Sequence, residues 1–316
     1  MSEVFFAALS PMLFLFICIV IGFSLNKMKL LPPDAALVMS RLENYVFMPA
    51  MGFSAFMKFC TVDSIRENSG IFAYSILAIA FAMGIAVPLS GVFEKKDADK
   101  RNIYKYGLTF ANFGFMGNAI IPLILGGQEH LYRYLLFTLL MNFTAFVWGI
   151  PILTPKEHRK GSAIKNVANP PMLGFLAGAV AGLTGIAKCL PEFVITTADG
   201  IQNCMGPVAM ILTGFVIGDY SFKSLVGNKK VYIVTFLRLF VLPLIILAVL
   251  YLFGASKYVM TLAFFAYATP FGLNMIVFPA AFGGDTKPGA GMAMISHTLS
   301  VLTMPLLYSL LMLIMR

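Results

Sequence analysis

About ten stretches of roughly 18 or more mostly apolar residues follow one another along this chain, with only short polar joins between them. A helix needs about 20 such residues to cross a bilayer, so each stretch is long enough to span one. They lie near 5–25, 35–59, 71–93, 103–125, 132–153, 170–190, 194–218, 231–253, 258–282 and 289–314. Hydrophobic residues make up 59% of the chain and charged residues 12%, which leaves too little polar surface for a soluble globule of 316 residues. The class is therefore an all-α integral membrane protein. Met1-Ser2-Glu3 offers no basic leader and no small-x-small cleavage site follows, so the first stretch is expected to stay as a crossing.

The chain also repeats itself. Pro49 recurs as Pro207, Phe113-Gly114 as Phe271-Gly272, and Pro122 with Gly126-Gly127 as Pro279 with Gly283-Gly284, each about 158 residues later. With five crossings per copy, an odd number, the second copy must sit upside down relative to the first. The expected domains are a first repeat over 1–153, a hydrophilic linker over 154–169 and an inverted second repeat over 170–316. Asn169-Pro170 suits the start of the second, because asparagine caps and proline at the first position loses no needed donor.

Basic residues orient the chain. With the N-terminus outside, the inner joins hold fifteen lysines and arginines, from Lys27 and Lys29 to Lys287, against six in the outer joins and end. Both termini are thus expected to be extracytoplasmic and the linker cytoplasmic. The net charge of +9 is a topology signal. It is spread over short joins and forms no groove with interleaved aromatics, which excludes a nucleic-acid partner. Cys18, Cys60, Cys189 and Cys204 show no CxxC or Cys/His spacing, so neither a metal site nor a cofactor is expected. No HExxH, GxSxG or Walker sequence supports an enzyme.

The chemistry lies where glycine and proline interrupt two apolar stretches. Ala111-Asn112-Phe113-Gly114-Phe115-Met116-Gly117-Asn118 falls near the middle of the fourth, and Thr269-Pro270-Phe271-Gly272-Leu273-Asn274 near the middle of the ninth. A broken ladder in hydrocarbon is tolerated only beside protein or a wet cavity. Each second half-helix would direct its opening N–H groups and positive dipole end at one point, which favours an anion such as a carboxylate. The amides of Asn112, Asn118 and Asn274 can donate to or accept from it without burying a charge.

Other polar residues inside the stretches admit two readings each. Glu43-Asn44 and Gln202-Asn203 occupy corresponding places before Pro49 and Pro207, which suggests that Glu43, Asn44 and Asn203 line a scaffold side of the pathway. Asp199 is either a proton- or cation-coupling carboxylate or a wetted residue near the outer interface. His297 either titrates with transport or is hydrogen-bonded within the bundle. Arg41 and Arg238 read as snorkelling or paired side chains. Tyr132, Tyr134 and Tyr258 read as interfacial anchors.

The run Asn112-Phe113-Gly114-Phe115-Met116-Gly117, the stretch Pro270-Phe271-Gly272-Leu273-Asn274 and the closing 296–305 segment resemble the auxin efflux carrier family. Tyr45-Val46-Phe47-Met48-Pro49-Ala50 and Gly206-Pro207-Val208-Ala209-Met210 extend the similarity over nearly the whole chain. The family holds bacterial malonate and malate permease-like proteins and the plant PIN-type transporters. The resemblance implies ten helices in two inverted repeats, distantly like the bile acid sodium symporters. Helices 1, 2, 6 and 7 would form a scaffold, and helices 3–5 and 8–10 an elevator-like transport domain. Asn112, Gly114, Pro270, Gly272 and Asn274 would be the crossover residues holding a small organic anion.

A plasma-membrane homodimer joined through the scaffold is expected on the same ground, with proton or sodium coupling left open. A sodium-coupled carrier like the bile acid symporters is the alternative, and a channel a weaker one. The family carries proline just before the fourth-helix asparagine and after Gly117-Asn118, where this chain has Ala111 and Ala119. A less sharply broken fourth helix is therefore expected.

Overall fold

The computed structural model describes residues 2–154, 168–221, 223, 225, 227–280 and 285–315. Residues 155–167 of the expected linker, and Gly283-Gly284 of the second set of repeat marks, lie outside the described residues. In chain order the helices are α1 (Ser2–Lys27), α2 (35–59), the short α3 (Val62–Glu67), α4 (Ser69–Phe93), α5 (Ala98–Thr109), α6 (Phe113–Gly126) and α7 (Gln128–Leu153). Then follow α8 (Pro170–Thr184), α9 (Glu192–Gly218), α10 (Lys229–Leu252), α11 (Lys257–Tyr267), α12 (Asn274–Ala280) and α13 (Lys287–Ile314). Six of them, α1, α4, α7, α9, α10 and α13, are long and apolar enough to cross a membrane, and α6 and α8 are shorter apolar helices.

Local chemistry sets several ends. The Asp97 carboxylate accepts from the Asp99 and Lys100 N–H groups at the start of α5, and Asn169, Asn228 and Ser256 cap α8, α10 and α11 in the same manner. Gly185 ends α8 with φ 76°, a left-handed turn that a side chain would strain. Four helices also contain widened π-helical turns: Glu43–Phe47 in α2, Phe113–Gly117 and Pro122–Gly126 in α6, Ala145–Gly149 in α7, and Leu237–Val241 in α10. Such turns rotate the following residues and often mark functional places. Here they carry Glu43, Asn44, Gly114 and Arg238.

Packing is closest in two helix pairs, α1 against α9 and α8 against α2. A methyl group at Gly214 would overlap the Ile19 carbonyl, and one at Gly22 the Ile211 carbonyl. Gly174 and Gly178 of α8 meet the backbone of Pro49 and Phe53 in the same way. Lipid is as apolar as the side chains, so association rests on such close approach rather than on expulsion of water. Large apolar side chains face outward on several helices: α1 exposes Leu13, Phe14, Ile17, Val20 and Ile21, and α10 ends on exposed Tyr251 and Leu252. An apolar surface of this extent suits hydrocarbon, not water. At the other extreme, Val259 to Tyr267 of α11 are all buried, which makes α11 a central helix surrounded by protein.

Candidate functional site

Two interrupted helices meet at the centre of the protein. α5 stops at Thr109, and Phe110 turns to extended backbone with φ −111° and ψ 122°. Ala111 then forms an antiparallel bridge with Phe271, which lies between α11 and α12. The Asn112 N–H donates to the Pro270 carbonyl at 2.7 Å. The fourth apolar stretch is thus sharply broken, contrary to the expectation drawn from Ala111. The Asn112 N–H freed at the break finds the Pro270 carbonyl on the other crossing, so pairing between the two crossings supports the break without a proline at position 111.

α13 holds this crossing in place. The Ser296 hydroxyl accepts the Phe271 N–H at 3.1 Å and donates to the Ala293 carbonyl. His297 Nδ1 lies 2.8 Å from the Ala293 carbonyl, which can only accept, so that nitrogen carries the proton. Its Nε2 then receives the Asn112 amide at 3.2 Å. Buried, with both ring nitrogens engaged, His297 is a positioning group for Asn112 in this structure.

A cavity of about 60 Å³ opens beside the crossing. Asn44, Tyr106, Asn112, Gly114, Asn142, Gly272 and Asn274 all line it. Asn44, Asn112, Gly114, Gly272 and Asn274 were legible as candidates, and the structure brings them together. Pro270 stands behind the cavity, bonded to Asn112. Tyr106 and Asn142 escape a reading of the sequence. Asn142 is a lone amide in an apolar run, a signal of the kind that singled out Asn112, whereas Tyr106 looks like any interfacial tyrosine.

The four amides share a geometry. Asn44 donates to the Ser40 carbonyl, Asn142 to the Thr138 carbonyl, Asn112 to His297 and Asn274 to the Tyr106 hydroxyl. Each NH₂ group thus spends one hydrogen on the protein and keeps a second. The opening turn of α6 adds Phe113, Gly114 and Phe115 to the lining, residues whose N–H groups have no carbonyl one turn back within their own helix. Among the described residues, no charged side chain lines the cavity.

Asn118 does not join this group. Its amide donates to the Gly114 carbonyl, and it lines a second cavity of about 440 Å³ on the other side of α6, together with Gln128, Gln202, Asn203, Gly206 and Pro207. Three amide oxygens there, on Asn118, Gln128 and Gln202, are buried without a partner among the described residues. Asn203 therefore belongs with Asn118, apart from Asn44. Asp199 accepts hydrogen bonds from Ser54 and Lys58, the latter at 2.6 Å, and ties α9 to α2. Glu43 is fully buried, and among the described residues neither of its oxygens has a partner.

Two sequence readings change. Tyr132 and Tyr134 are buried within the bundle, not at an interface. The Tyr134 hydroxyl lies 3.2 Å from the Phe113 carbonyl and 3.4 Å from that of Phe265, so it serves both broken crossings. Arg238 does not snorkel. Its side chain is fully buried, and its guanidinium donates to the Leu108 carbonyl at 3.0 Å and to the Tyr267 carbonyl at 3.1 Å.

An all-helical chain with several bilayer-length apolar helices, two of its apolar stretches broken where they meet at a polar cavity, is a multi-pass membrane protein. A family model described as "Membrane transport protein" matches residues 7–308, and the chain belongs to that family, the auxin efflux carriers. No curated protein matches the chain. Members of this family are transporters, not enzymes.

Proposed function

We propose that the protein is a secondary carrier of small organic anions that works by an elevator-type alternation in the plasma membrane. The observation that carries this reading is the uncharged cavity at the crossing, where Asn44, Asn112, Asn142 and Asn274 surround the opening N–H groups of α6. A carboxylate bound there would accept hydrogen bonds from amides and from a positive helix end, without a lysine or arginine that would grip it too tightly to release. Malate-like, malonate-like and auxin-like acids all fall within that class.

The architecture proposed with it is ten crossings in two inverted five-helix repeats. An inverted duplication exchanges first with sixth and second with seventh crossings, so the α1–α9 contact and the α8–α2 contact become the same contact made twice. These four helices would be the scaffold and, in a dimer, the joining surface. The remaining helices would move, carrying Asn112, Asn142 and Asn274 past Asn44 and Asn203, with both termini outside. The cavity is too small for such an acid in this structure, so binding requires the moving part to draw away from α2.

The test is uptake of radiolabelled organic acids into proteoliposomes. Saturable uptake that Asn112→Ala and Asn274→Ala abolish, while both variants keep the wild-type elution profile, supports the reading. Flux linear in concentration favours a channel, and undiminished uptake by both variants removes the site assignment.

A further inference from the structure

Arg238 presents a problem in elementary electrostatics. A guanidinium is always charged, and its burial in a membrane protein is costly unless something compensates it. Among the described residues no carboxylate pairs with it; its partners are the carbonyls of Leu108 and Tyr267. Those two residues lie at the C-terminal ends of α5 and α11, the first halves of the two broken crossings. Each helix end carries roughly half a negative charge on carbonyls that have lost their intrahelical partners. Two such ends sum to about one negative charge, which matches one guanidinium.

Some of the neighbouring carbonyls are served by other groups. Phe110 N–H takes the Tyr106 carbonyl and Ala268 N–H that of Phe264, while the Thr109 hydroxyl takes that of Lys105. The Leu108 and Tyr267 carbonyls take the cation, and the widened turn Leu237–Val241 sets Arg238 between them.

We propose that Arg238 is the resident counter-charge of the crossing, occupying the place where two converging helix ends would otherwise draw a cation from solution, so that the protein works without sodium. The part of this concerning transport rests on the carrier reading above; the part concerning the cation does not. It selects against the sodium-coupled alternative. It also gives the moving crossings a fixed charge balance, since the guanidinium travels with both of them.

The experiment is thermal unfolding of the purified full chain in sodium, potassium and N-methylglucamine chloride at equal ionic strength, for wild type, Arg238→Gln and Arg238→Lys. The wild-type midpoints are expected to coincide in the three salts. Arg238→Gln should lose at least about 5 °C in N-methylglucamine, given the few degrees per kcal/mol usual for chains of this size. Millimolar sodium or guanidinium should then recover part of that loss by binding the vacated place. Arg238→Lys should lose less and respond to neither ion. If Arg238→Gln yields no folded protein, the lysine variant and the wild-type salt series still decide.

Saturable stabilisation of the wild type by sodium would overturn the proposal. So would an Arg238→Gln midpoint equal to that of the wild type, or a loss that neither ion recovers. Sodium replacement during proteoliposome uptake adds a functional arm, in which unchanged rates are expected and a sodium requirement counts against the proposal. Failure to find any transported acid would count against the carrier reading alone, because the unfolding series needs no substrate.

Discussion

The backbone N–H of Asn112 donates to the Pro270 carbonyl at 2.7 Å, across 158 residues of chain. This one bond, with the Ala111–Phe271 bridge beside it, gives backbone groups freed where the two helices open a partner on the other crossing. The polar cavity, the role of α13 and the position of Arg238 all follow from that crossing.

Ser296 carries the Phe271 N–H, and replacing it strands a donor in the centre of the protein. Ser296→Ala is expected to lower stability by about 1–3 kcal/mol, the cost of a buried unsatisfied group. Thermal unfolding followed by the fluorescence of Trp148, the sole tryptophan, measures it. An unchanged midpoint would mean that the Phe271 N–H has another partner.

Gly214 stands where α9 touches the backbone of α1. Gly214→Val should force the pair apart and cost about 1–3 kcal/mol or more, as overpacking does. Gly84→Ala provides the control, because among the described residues nothing beyond its own stretch of helix lies within 4 Å of the added methyl group. A midpoint drop confined to the first variant is expected. Equal midpoints would remove the close approach as a stabilising contact.

Glu43 is buried in the widened turn of α2 with neither oxygen partnered. Removing an uncompensated ionisable group while keeping its shape does not harm packing. Glu43→Gln should therefore hold or raise the unfolding midpoint, whereas Glu43→Ala should lower it by leaving a cavity. A marked loss in the glutamine variant would show that the carboxyl has a structural partner.

Asp285 lies in the connection before α13, 3.0 Å from Lys100. Partial burial pushes its carboxyl up, but the Lys100 hydrogen bond, the Lys287 N–H and the nearby positive charges outweigh this and hold it below the ordinary aspartate value of 3.8. A group with a depressed folded value contributes stability that is fully present above 3.8 and fades as pH falls through the lower folded value. Asp285→Asn should remove that acid-side component, so its midpoint should fall less steeply than the wild type below pH 3.8. Parallel curves for the two proteins would show that the pair contributes nothing.

Much of the site was legible because membrane helices rarely carry amides, glycine pairs and prolines without cause. Asn112, Gly114, Gly272 and Asn274 stood out against an apolar background and do meet at one cavity. Asn118 stood out equally but faces the opposite side of α6, because six residues of helix, widened by a π turn, carry it around from Asn112. Tyr106 and Ser296 were not legible. A tyrosine or serine in an apolar run is ordinary, and only the crossing gives each a backbone or amide partner.

Hydrophobic run length, a property of local composition, determined by itself that this chain is a membrane protein, and repeated proline and glycine marks told where its helices would yield. Those signals are local because a bilayer tests each segment separately for backbone satisfaction and apolar length. Which carbonyls the buried Arg238 serves, which face Asn118 takes, and how a helix without its family proline still breaks were decided only in three dimensions. The Arg238–Leu108 and Asn112–Pro270 bonds join residues more than a hundred positions apart, and the face of Asn118 follows from a π turn, so none of these leaves a trace in the order of the residues.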